Sequence, residues 1–478
     1  MKNSIKLNGL LNVIKKCCNI ILPLFIFPYI SRVLGPTNYG KYSFANSIVT
    51  YFMLAALLGV ETYAVREGAR IRNDRKKIDQ FISEVFSINL LSMVISMVVM
   101  FIIIGINGKL NNYKDPILIL SLMIPCAVLG REYINIIFED YIYITVRYIV
   151  IQIIGLIAIY VFVKNPEDYL VYTIIYMLTN SLGYIINLVY THKYCSFKIT
   201  RRLKLKKHLI PILILFCGQL AITIYVQSDI TMLGIFQSDK EVGIYTITSK
   251  VYMLIKGMVN ALTTVAIPRI SYYLGEHKMQ EYENFLNKLL NYIILLLVPL
   301  TLGLILFSNN ILYIIGGERY MVGNQALNLL SLSLLFAVIS GFLCNGIMIS
   351  NRKEKDFLFV TALSAILNII LNLFFIPKVG MLGAAITTLI SEILVFFLAL
   401  KATKKYLKIK IDKQHIFSIL IAGVVVVIIS IICKKMMDNI IEQLVIAMIL
   451  SCIAYFGVLA VLRNKIVIDT LNLLFSRK

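Results

Sequence analysis

About fourteen runs of apolar residues, each close to 20 residues long, follow one another along almost the whole chain. A helix of about 20 residues rises about 30 Å, which is the thickness of the hydrocarbon core of a bilayer. The connectors between the runs are too short to fold as a soluble domain. The runs are continuous rather than alternating, which excludes a membrane β-barrel. The sequence therefore predicts an all-α membrane protein with about 14 transmembrane helices.

Polar residues interrupt the apolar runs and so define the limits of each predicted span. The first span has a basic start but no cleavage site of small residues after it, so we interpret it as an uncleaved helix rather than a signal peptide. The predicted spans are 9–33, 41–64, 82–106, 115–137, 143–163, 169–190, 209–236, 242–266, 288–308, 325–349, 357–376, 380–400, 415–433 and 440–462.

Lysine and arginine are concentrated in alternate connectors. The 478 residues include 47 Lys or Arg and 25 Asp or Glu, a formal net charge of +22. With the N-terminus inside, about 33 of the 47 fall on the cytoplasmic side, as the positive-inside rule requires. Basic connectors of this kind attract anionic lipid headgroups, so they give no support to a nucleic-acid partner. We expect a multi-pass protein of the cytoplasmic membrane with both termini in the cytoplasm.

Two predicted outer turns, about 200 residues apart, carry similar residues. The stretch 34–42 contains Leu-Gly and then Gly-Lys-Tyr, and the stretch 233–245 contains Leu-Gly and then Gly-Ile-Tyr. Parallel repeats are a common transporter architecture, although ordinary turn chemistry also explains the similarity. We predict these regions: 1–192, an N-terminal six-helix bundle; 193–208, a basic cytoplasmic linker; 209–402, a C-terminal six-helix bundle; and 403–478, two additional transmembrane helices and an amphipathic cytoplasmic tail.

The connectors carry no pattern typical of catalysis or metal binding. The sequence contains no nucleophile elbow, phosphate loop or metal-ligand spacing of histidine and carboxylate. The four histidines (192, 208, 277 and 415) all fall in predicted cytoplasmic connectors, which argues against a buried metal or a histidine proton relay. We therefore predict no enzyme activity, no catalytic residue, no metal and no cofactor, and leave coupling to H⁺ or Na⁺ open.

Ionisable residues inside the spans are the candidates for ligand contact, because each costs about 2.5–3.5 kcal/mol at the centre of a span. Lys15 and Glu61 are expected at similar depth on adjacent helices, where pairing or snorkelling explains them without a function. Asp229 and Lys250 lie on either side of a later turn. A salt bridge between them is either structural or a switchable gate.

Two further ionisable residues lie near the middle of their predicted spans. Lys256 is either a contact for an anionic ligand or the structural partner of Glu392.

Arg32 and Arg66 flank the first hairpin, where they either meet a phosphate or snorkel to the membrane surface. The candidate substrate-binding or gate residues are Lys256, Lys250, Asp229, Arg32, Glu61, Arg66, Lys15 and Glu392.

The first hairpin carries the most specific pattern, FPYISRVLGPTNYGKY at 27–42, followed by GVETY at 59–63. It resembles the polysaccharide-transporter branch (Wzx-type flippases of oligosaccharide or O-antigen repeat units) of the multidrug/oligosaccharidyl-lipid/polysaccharide exporter superfamily. Further similar stretches lie at 228–234, 243–245, 268–271 and 380–392.

The resemblance implies two six-helix bundles around a central cationic cavity, with two helices appended. It implies a flippase that moves undecaprenyl-diphosphate-linked oligosaccharide repeat units to the outer leaflet by alternating access, for O-antigen, capsule or exopolysaccharide synthesis. The implied partners are the lipid-linked oligosaccharide, membrane lipids, a polysaccharide polymerase and glycosyltransferases. It places the eight candidate residues in the cavity or its gates.

Three other functions are alternatives to this one. Two belong to the same superfamily: a flippase of lipid II, the peptidoglycan precursor, and a cation-coupled multidrug exporter. The embedded lysines favour an anionic ligand over a drug cation. A membrane glycan polymerase or ligase is disfavoured, because its catalytic residues would need a longer outer loop than this chain has.

Overall fold

The computed structural model describes residues 5–200, 204–406 and 412–475. Within these ranges the chain is helical with short connectors, and it contains no β-strand. Residues 201–203 of the predicted linker, and 407–411 and 476–478 of the predicted last region, lie outside the described residues. The prediction of an all-α protein is confirmed.

Two compact units make up the chain, unit 1 (Met1–Gly243) and unit 2 (Ile244–Lys478). The division at the predicted linker 193–208 stays a prediction. The helices of unit 1 are α1 (Ile5–Leu57), α2 (Val60–Ile71), α3 (Arg75–Ile106), α4 (Gly108–Asn111), α5 (Lys114–Ser121), α6 (Met123–Gly130), α7 (Glu132–Ile137), α8 (Tyr141–Phe162), α9 (Tyr169–Tyr190) and α10 (Leu205–Phe236).

Helix α11 (Asp239–Gly275) begins in unit 1 and continues in unit 2. A π-helical turn at Phe342–Met348 follows α14. The other helices of unit 2 are α12 (Met279–Leu306), α13 (Ser308–Gly316), α14 (Asn324–Gly341), α15 (Glu354–Thr403), α16 (Lys413–Met436), α17 (Ile440–Val461) and α18 (Lys465–Phe475).

Twelve helices among the described residues are long and apolar enough to cross a membrane. Two of these segments have 51 and 50 residues, about twice the length that a bilayer needs. A glycine with non-helical backbone interrupts helix α1 at Gly35 (φ 67°, ψ 172°) and helix α15 at Gly380 (φ 57°, ψ −134°). Each segment therefore covers two predicted spans, and the chain is a membrane protein with about fourteen crossing helices.

Gly380 is the turn of a helical hairpin. Glycine reaches this positive φ without steric cost. A Cβ on Gly383 would lie 2.7 Å from the backbone carbon of Phe375, whereas these residues would be about 12 Å apart in a straight helix. The hydroxyl of Thr387 also donates a hydrogen bond to the side-chain oxygen of Asn372. The second half of α15 therefore folds back along the first.

The two turns of the predicted repeat contact each other within unit 1. At the first turn, Gly35 adopts the positive φ that ends a helix, and Pro36 starts the next one. A Cβ on Gly40 would lie 1.8 Å from the carbonyl oxygen of Asp239, and a Cβ on Gly243 would lie 1.9 Å from that of Pro36. Gly40 follows Pro36 by the same interval as Gly243 follows Asp239. Only glycine fits at both places, and the two contacts are reciprocal, whereas the repeat itself stays a prediction.

Breaks in the backbone divide two predicted spans. The span 41–64 is interrupted by Gly59 (φ 72°), after which α2 begins. The span 115–137 consists of α5, α6 and α7, and Arg131 (φ 47°) separates the last two. A positive φ outside glycine is uncommon, and hydropathy does not register it. The break at Arg131 has a direct consequence for the charges described below.

Part of the predicted linker lies extended along α3. Every second backbone amide of this segment donates to every fourth side chain of the helix. Two extended residues advance about 6.6 Å and four helical residues about 6 Å, so the two spacings match. The pairs are Ser196 N to Asp79 Oδ1 (3.0 Å), Lys198 N to Ser83 Oγ (3.1 Å) and Thr200 N to Ser87 Oγ (2.9 Å).

The predicted amphipathic tail is helical where it is described. Helix α18 buries Ile466 and Val467 in one apolar cluster with Leu295 of α12 and Ile419 of α16. The hydroxyl of Thr470 on α18 lies 3.0 Å from the hydroxyl of Tyr292, also on α12. The first apolar residues of the tail, Ile466 and Val467, therefore pack on unit 2 itself.

Candidate functional site

A charged cluster lies among the helices of unit 1. Its members are Lys15 on α1, Glu61 on α2, Glu132 on α7 and Arg147 on α8, and we call it the unit 1 cluster. Lys15 Nζ lies 3.3 Å from Glu132 Oε1, and Arg147 Nη2 lies 2.5 Å from Glu132 Oε2. A single carboxylate is therefore shared by two cations.

The local backbone places these groups. Glu132 is the first residue of α7, directly after the positive-φ residue Arg131. Gly183 on α9 leaves room for the guanidinium of Arg147, because a Cβ at this position would lie 3.2 Å from Arg147 Nε. The guanidinium carbon also lies 5.0 Å from the ring centre of Tyr143, a distance at which cation–π attraction contributes.

Burial differs among the three paired groups. The side chain of Arg147 is 7% exposed, that of Glu132 is 18% exposed and that of Lys15 is 28% exposed. A buried guanidinium is tolerated only with a counter-charge and hydrogen bonds. Arg147 obtains the counter-charge from Glu132, yet its Nη1 is buried without a hydrogen-bond partner.

A polar cavity of about 150 Å³ adjoins these charges. Arg147, Lys15 and Glu132 form its charged wall. Its other polar lining residues are Tyr148, Gln152, Thr179, Asn180 and Tyr184. The cavity therefore offers hydroxyl and amide groups beside a guanidinium that still has hydrogen-bonding capacity.

Pairing with Glu61 is one of two explanations for Lys15 that the sequence offers, and the structure gives Lys15 a different ion-pair partner. Lys15 and Glu61 were predicted at similar depth, but the carboxylate within ion-pair distance of Lys15 is that of Glu132. Glu61 is exposed and lies within electrostatic range of both Lys15 and Glu132. The reason is the break at Arg131, which brings Glu132 to this depth from α7.

A second charged cluster lies in unit 2. It consists of Tyr252 and Lys256 on α11 and Glu392 on α15, and we call it the unit 2 cluster. Lys256 Nζ lies 2.6 Å from Glu392 Oε1, and the hydroxyl of Tyr252 donates to the same oxygen at 3.2 Å. Lys256 also donates to that hydroxyl, at 3.3 Å. The structural pairing of Lys256 with Glu392, one of the two alternatives, is therefore present.

In the unit 2 cluster the carboxylate is much more deeply buried than the ammonium. The side chain of Glu392 is 4% exposed and that of Lys256 is 26% exposed. The ammonium also lies 5.4 Å from the ring centre of Tyr252. The cation, the carboxylate and the hydroxyl satisfy one another, and a role for Lys256 in ligand contact stays a prediction.

The other four predicted residues lie outside these clusters. Arg32 is exposed on α1. Arg66 is exposed on α2 and forms an ion pair with Glu67 at 2.9 Å. Asp229 is buried on α10, and Lys250 is half-buried on α11. The predicted pairing of Asp229 with Lys250 and the gate roles of all four stay predictions.

Two residues of the unit 1 cluster were missed from the sequence. Glu132 and Arg147 fall inside the predicted spans 115–137 and 143–163, so both carried the signal that identified the other candidates. They lie near the ends of those spans, where a charge has a lower free-energy cost and is therefore a weaker signal of a functional site. Their burial depends on packing against α1 and α9, which hydropathy does not report.

The placement of all four histidines in connectors is wrong for two of them. His208 and His415 lie in the first turns of α10 and α16 and are buried. His208 hydrogen-bonds through Nδ1 to the hydroxyl of Tyr63 and through Nε2 to Glu84 Oε2, each at 2.8 Å. The tight packing of α10 against α2 and α3 removes this histidine from solvent.

Comparison with known families places this geometry in context. The model of the family described as "Polysaccharide biosynthesis protein" matches residues 6–274, more than half of the chain. This chain belongs to the polysaccharide biosynthesis protein family. The model of the MatE family matches residues 211–374. The resemblance predicted from the first hairpin, to the polysaccharide branch of the exporter superfamily, is therefore confirmed.

Two relatives are distant in sequence but match over nearly their full length. An Escherichia coli (strain K12) protein named "Putative O-antigen transporter" is 24% identical over 407 residues, 84% of this chain and 96% of the relative. The "Capsular polysaccharide biosynthesis protein CapF" of Staphylococcus aureus is 22% identical over 397 residues, 80% of this chain and 93% of the relative.

Solved structures match the fold of the whole chain. The lipid II flippase MurJ in an inward closed conformation superposes with a TM-score of 0.80 at 16% identity, over 96% of this chain and 99% of MurJ. An inward-facing multidrug resistance transporter of the MATE family gives 0.55 at 14% identity, over 81% of this chain and 97% of the transporter. The family member described here has the membrane-transporter fold of MurJ and the MATE proteins.

Proposed function

We propose that this protein is a flippase for undecaprenyl-diphosphate-linked oligosaccharide repeat units. It moves them from the inner to the outer leaflet of the cytoplasmic membrane, by alternating access, for the synthesis of surface polysaccharide. The polysaccharide family and relatives named for O-antigen transport and capsule synthesis support this substrate class. In this proposal the protein acts as a transporter and not as an enzyme.

The observation that carries the proposal is the unit 1 cluster. A lipid carrier leaves its acyl chain in the bilayer, but its diphosphate and sugars need polar groups at the depth of the helices. Arg147, Lys15 and the amides of Gln152 and Asn180 line a polar cavity within otherwise apolar helices. A buried charge persists in a membrane helix when it has a partner or a wet cavity, and here it has both.

The topology of the proposed cycle follows the distribution of basic connectors. Both termini lie in the cytoplasm, and the bundles 1–192 and 209–402 act as the two moving halves. The polymerase and the glycosyltransferases of the same polysaccharide are the expected partners. A substrate enters from the leaflet in which glycosyltransferases assemble it and leaves toward the polymerase.

Deletion of the gene tests this function. We expect surface polysaccharide to disappear and lipid-linked repeat units to accumulate in the cytoplasmic leaflet, with recovery when the wild-type gene or a Glu276→Gln control is supplied, since Glu276 is an exposed residue between helices. The amounts are measured by sugar analysis of the cell surface and of extracted lipids. Unchanged surface polysaccharide would refute the proposal.

The lipid II flippase is the second candidate, and the MurJ-like fold favours it. The same deletion strain separates the two, because a lipid II flippase is needed for peptidoglycan and not for other surface glycans. A loss of peptidoglycan cross-linking with intact surface polysaccharide would favour lipid II. Increased drug sensitivity alone would favour the multidrug exporter, to which the MatE match at 211–374 points.

A further inference from the structure

We propose that the cavity of the unit 1 cluster is a binding site for an oxyanion, a carboxylate or a phosphate group, held by Arg147 and Lys15. The site lies within unit 1, between α1, α7, α8 and α9. It deepens the proposed function, on which it rests for the source of the oxyanion: an acidic sugar of the repeat unit or the diphosphate of the lipid carrier.

Arg147 does not use its full capacity to donate hydrogen bonds. Its side chain is more than nine-tenths buried and lines the cavity, and only part of the guanidinium is engaged by Glu132. The buried Nη1 is without a partner. An unmade hydrogen bond to a buried charged donor costs more than one to a neutral donor, so an acceptor that reaches this nitrogen from the adjoining cavity is favoured. A planar guanidinium binds carboxylates and phosphates in preference to other acceptors.

The ion-paired residues at the cavity wall have more cations than carboxylates. Two cations, Lys15 and Arg147, share the single carboxylate of Glu132, so the ion-paired groups carry an excess of one positive charge. Lys15 is 28% exposed and lies within reach of a ligand in the cavity. This excess is balanced either by the nearby carboxylate of Glu61 or by an oxyanion that enters the cavity.

Glu61 is the fourth charge of the unit 1 cluster. Its exposed carboxylate is within electrostatic range of Lys15 and Glu132, and it brings the four charges to zero. Glu61 and the oxyanion therefore compete for the same cations. An anionic ligand in the cavity is repelled by the carboxylate of Glu61, so removal of this carboxylate favours binding of the ligand.

The lining residues limit the size of the bound group. The cavity volume of about 150 Å³ accommodates one phosphate or one sugar carboxylate with neighbouring hydroxyls. Gln152 and Asn180 provide amide donors, and Tyr148 and Tyr184 provide aromatic walls with hydroxyls. The site therefore accepts one anionic group of a larger substrate.

Direct titration of the purified full-length protein tests the site. The protein is placed in nanodiscs of zwitterionic lipid and titrated calorimetrically with pyrophosphate, glucuronate and glucose. We expect saturable binding of at least one of the two anions and no binding of glucose. Stronger binding of pyrophosphate identifies the lipid carrier as the source, and stronger binding of glucuronate identifies an acidic sugar. No anion binding, or equal binding of glucose, would overturn the proposal.

Two variants that should change anion affinity in opposite directions make the test specific. Arg147→Gln should weaken anion binding at least about 10-fold, since a hydrogen bond to a charged donor is lost. Glu61→Gln should tighten it roughly 3-fold or more, because a repelling charge is removed. The control Arg70→Gln, at a side chain that is 70% exposed in the same unit, should leave binding unchanged.

A loss of folding cannot imitate this pattern. If Arg147→Gln unfolds, as thermal unfolding in the same nanodiscs would reveal, Glu61→Gln alone decides, since a merely structural carboxylate gives no tighter binding when removed. Unchanged or weaker binding by Glu61→Gln would refute the competition. Because binding is measured on purified protein, the site survives if gene deletion leaves polysaccharide unaffected, in which case only the proposed function fails.

Discussion

The two charged clusters use the same chemistry in different ways. In unit 2 one ammonium, one carboxylate and one hydroxyl satisfy one another, and Glu392 is only 4% exposed. In unit 1 one carboxylate serves two cations beside a cavity, and a buried guanidinium nitrogen has no partner. The unit 2 cluster is complete without a ligand, whereas the unit 1 cluster is not.

This difference separates structural from functional charges inside a membrane protein. The cost of a charge in a helix explains only why it needs a partner. Whether a ligand is also involved depends on the hydrogen bonds that the protein partners leave unmade. By that criterion we propose Arg147, which the sequence did not single out, as a better candidate for ligand contact than Lys256, whose ligand role stays a prediction.

The largest effect is expected from breaking the unit 2 cluster. Glu392→Gln leaves the ammonium of Lys256 without its counter-charge in a largely enclosed place, so the free energy of unfolding should fall by about 3 kcal/mol. The midpoint of thermal unfolding in detergent checks this. Glu276→Gln, at an exposed carboxylate of the same unit, is the control. A change no larger than that of the control would contradict the structural role.

Removal of both charges should recover much of this loss. In Glu392→Gln combined with Lys256→Met, no buried charge remains unpaired and the methionine fills the volume of the lysine stem. We expect the double variant to be about 2 kcal/mol more stable than Glu392→Gln alone, because a buried pair replaced by apolar residues is often neutral. Additive losses in the double-variant cycle would show that the two residues act independently.

A smaller effect is expected from the equivalent change in unit 1. Glu132→Gln also removes a counter-charge, but the charges of Lys15 and Arg147 adjoin a polar cavity, and Arg147 already has one unsatisfied nitrogen. The free energy of unfolding should fall by about 1–2 kcal/mol, less than for Glu392→Gln. The same thermal measurement applies. An equal or larger loss would erase the distinction between the clusters.

The sequence was sufficient for the fold because a bilayer allows few solutions. Every backbone group in lipid must be hydrogen-bonded internally, so an apolar run of about 20 residues predicts a helix. The turn at Gly35–Pro36 was also predictable, since glycine ends helices and proline starts them. The break at Arg131 was not, because a positive φ at arginine follows from packing and leaves no trace in hydropathy.

The candidate site was only partly predictable for a related reason. Depth along a span can be compared only between residues of one hairpin, and this comparison offered Glu61 as one of two explanations for Lys15, the other being snorkelling. Glu132 is 117 residues from Lys15 in the chain, and which of several helices supplies a partner at a given depth is decided by helix packing. Lys256 and Glu392 were recognised as a possible pair because both lie near the middle of their predicted spans.

The smallest expected effect comes from the glycine that makes room for Arg147. Alanine in a helix is about 0.5–1 kcal/mol more favourable than glycine, and Gly303→Ala on α12 should show this gain, since its Cβ meets open space. In Gly183→Ala the Cβ would lie 3.2 Å from Arg147 Nε, so the guanidinium must shift by a few tenths of an ångström. Most of the gain in unfolding free energy should then be lost, and anion affinity should fall severalfold. If Gly183→Ala matches Gly303→Ala in stability and binds anions like the wild type, the position of Arg147 is not fixed by this packing, and the unit 1 cluster is more adaptable than its geometry indicates.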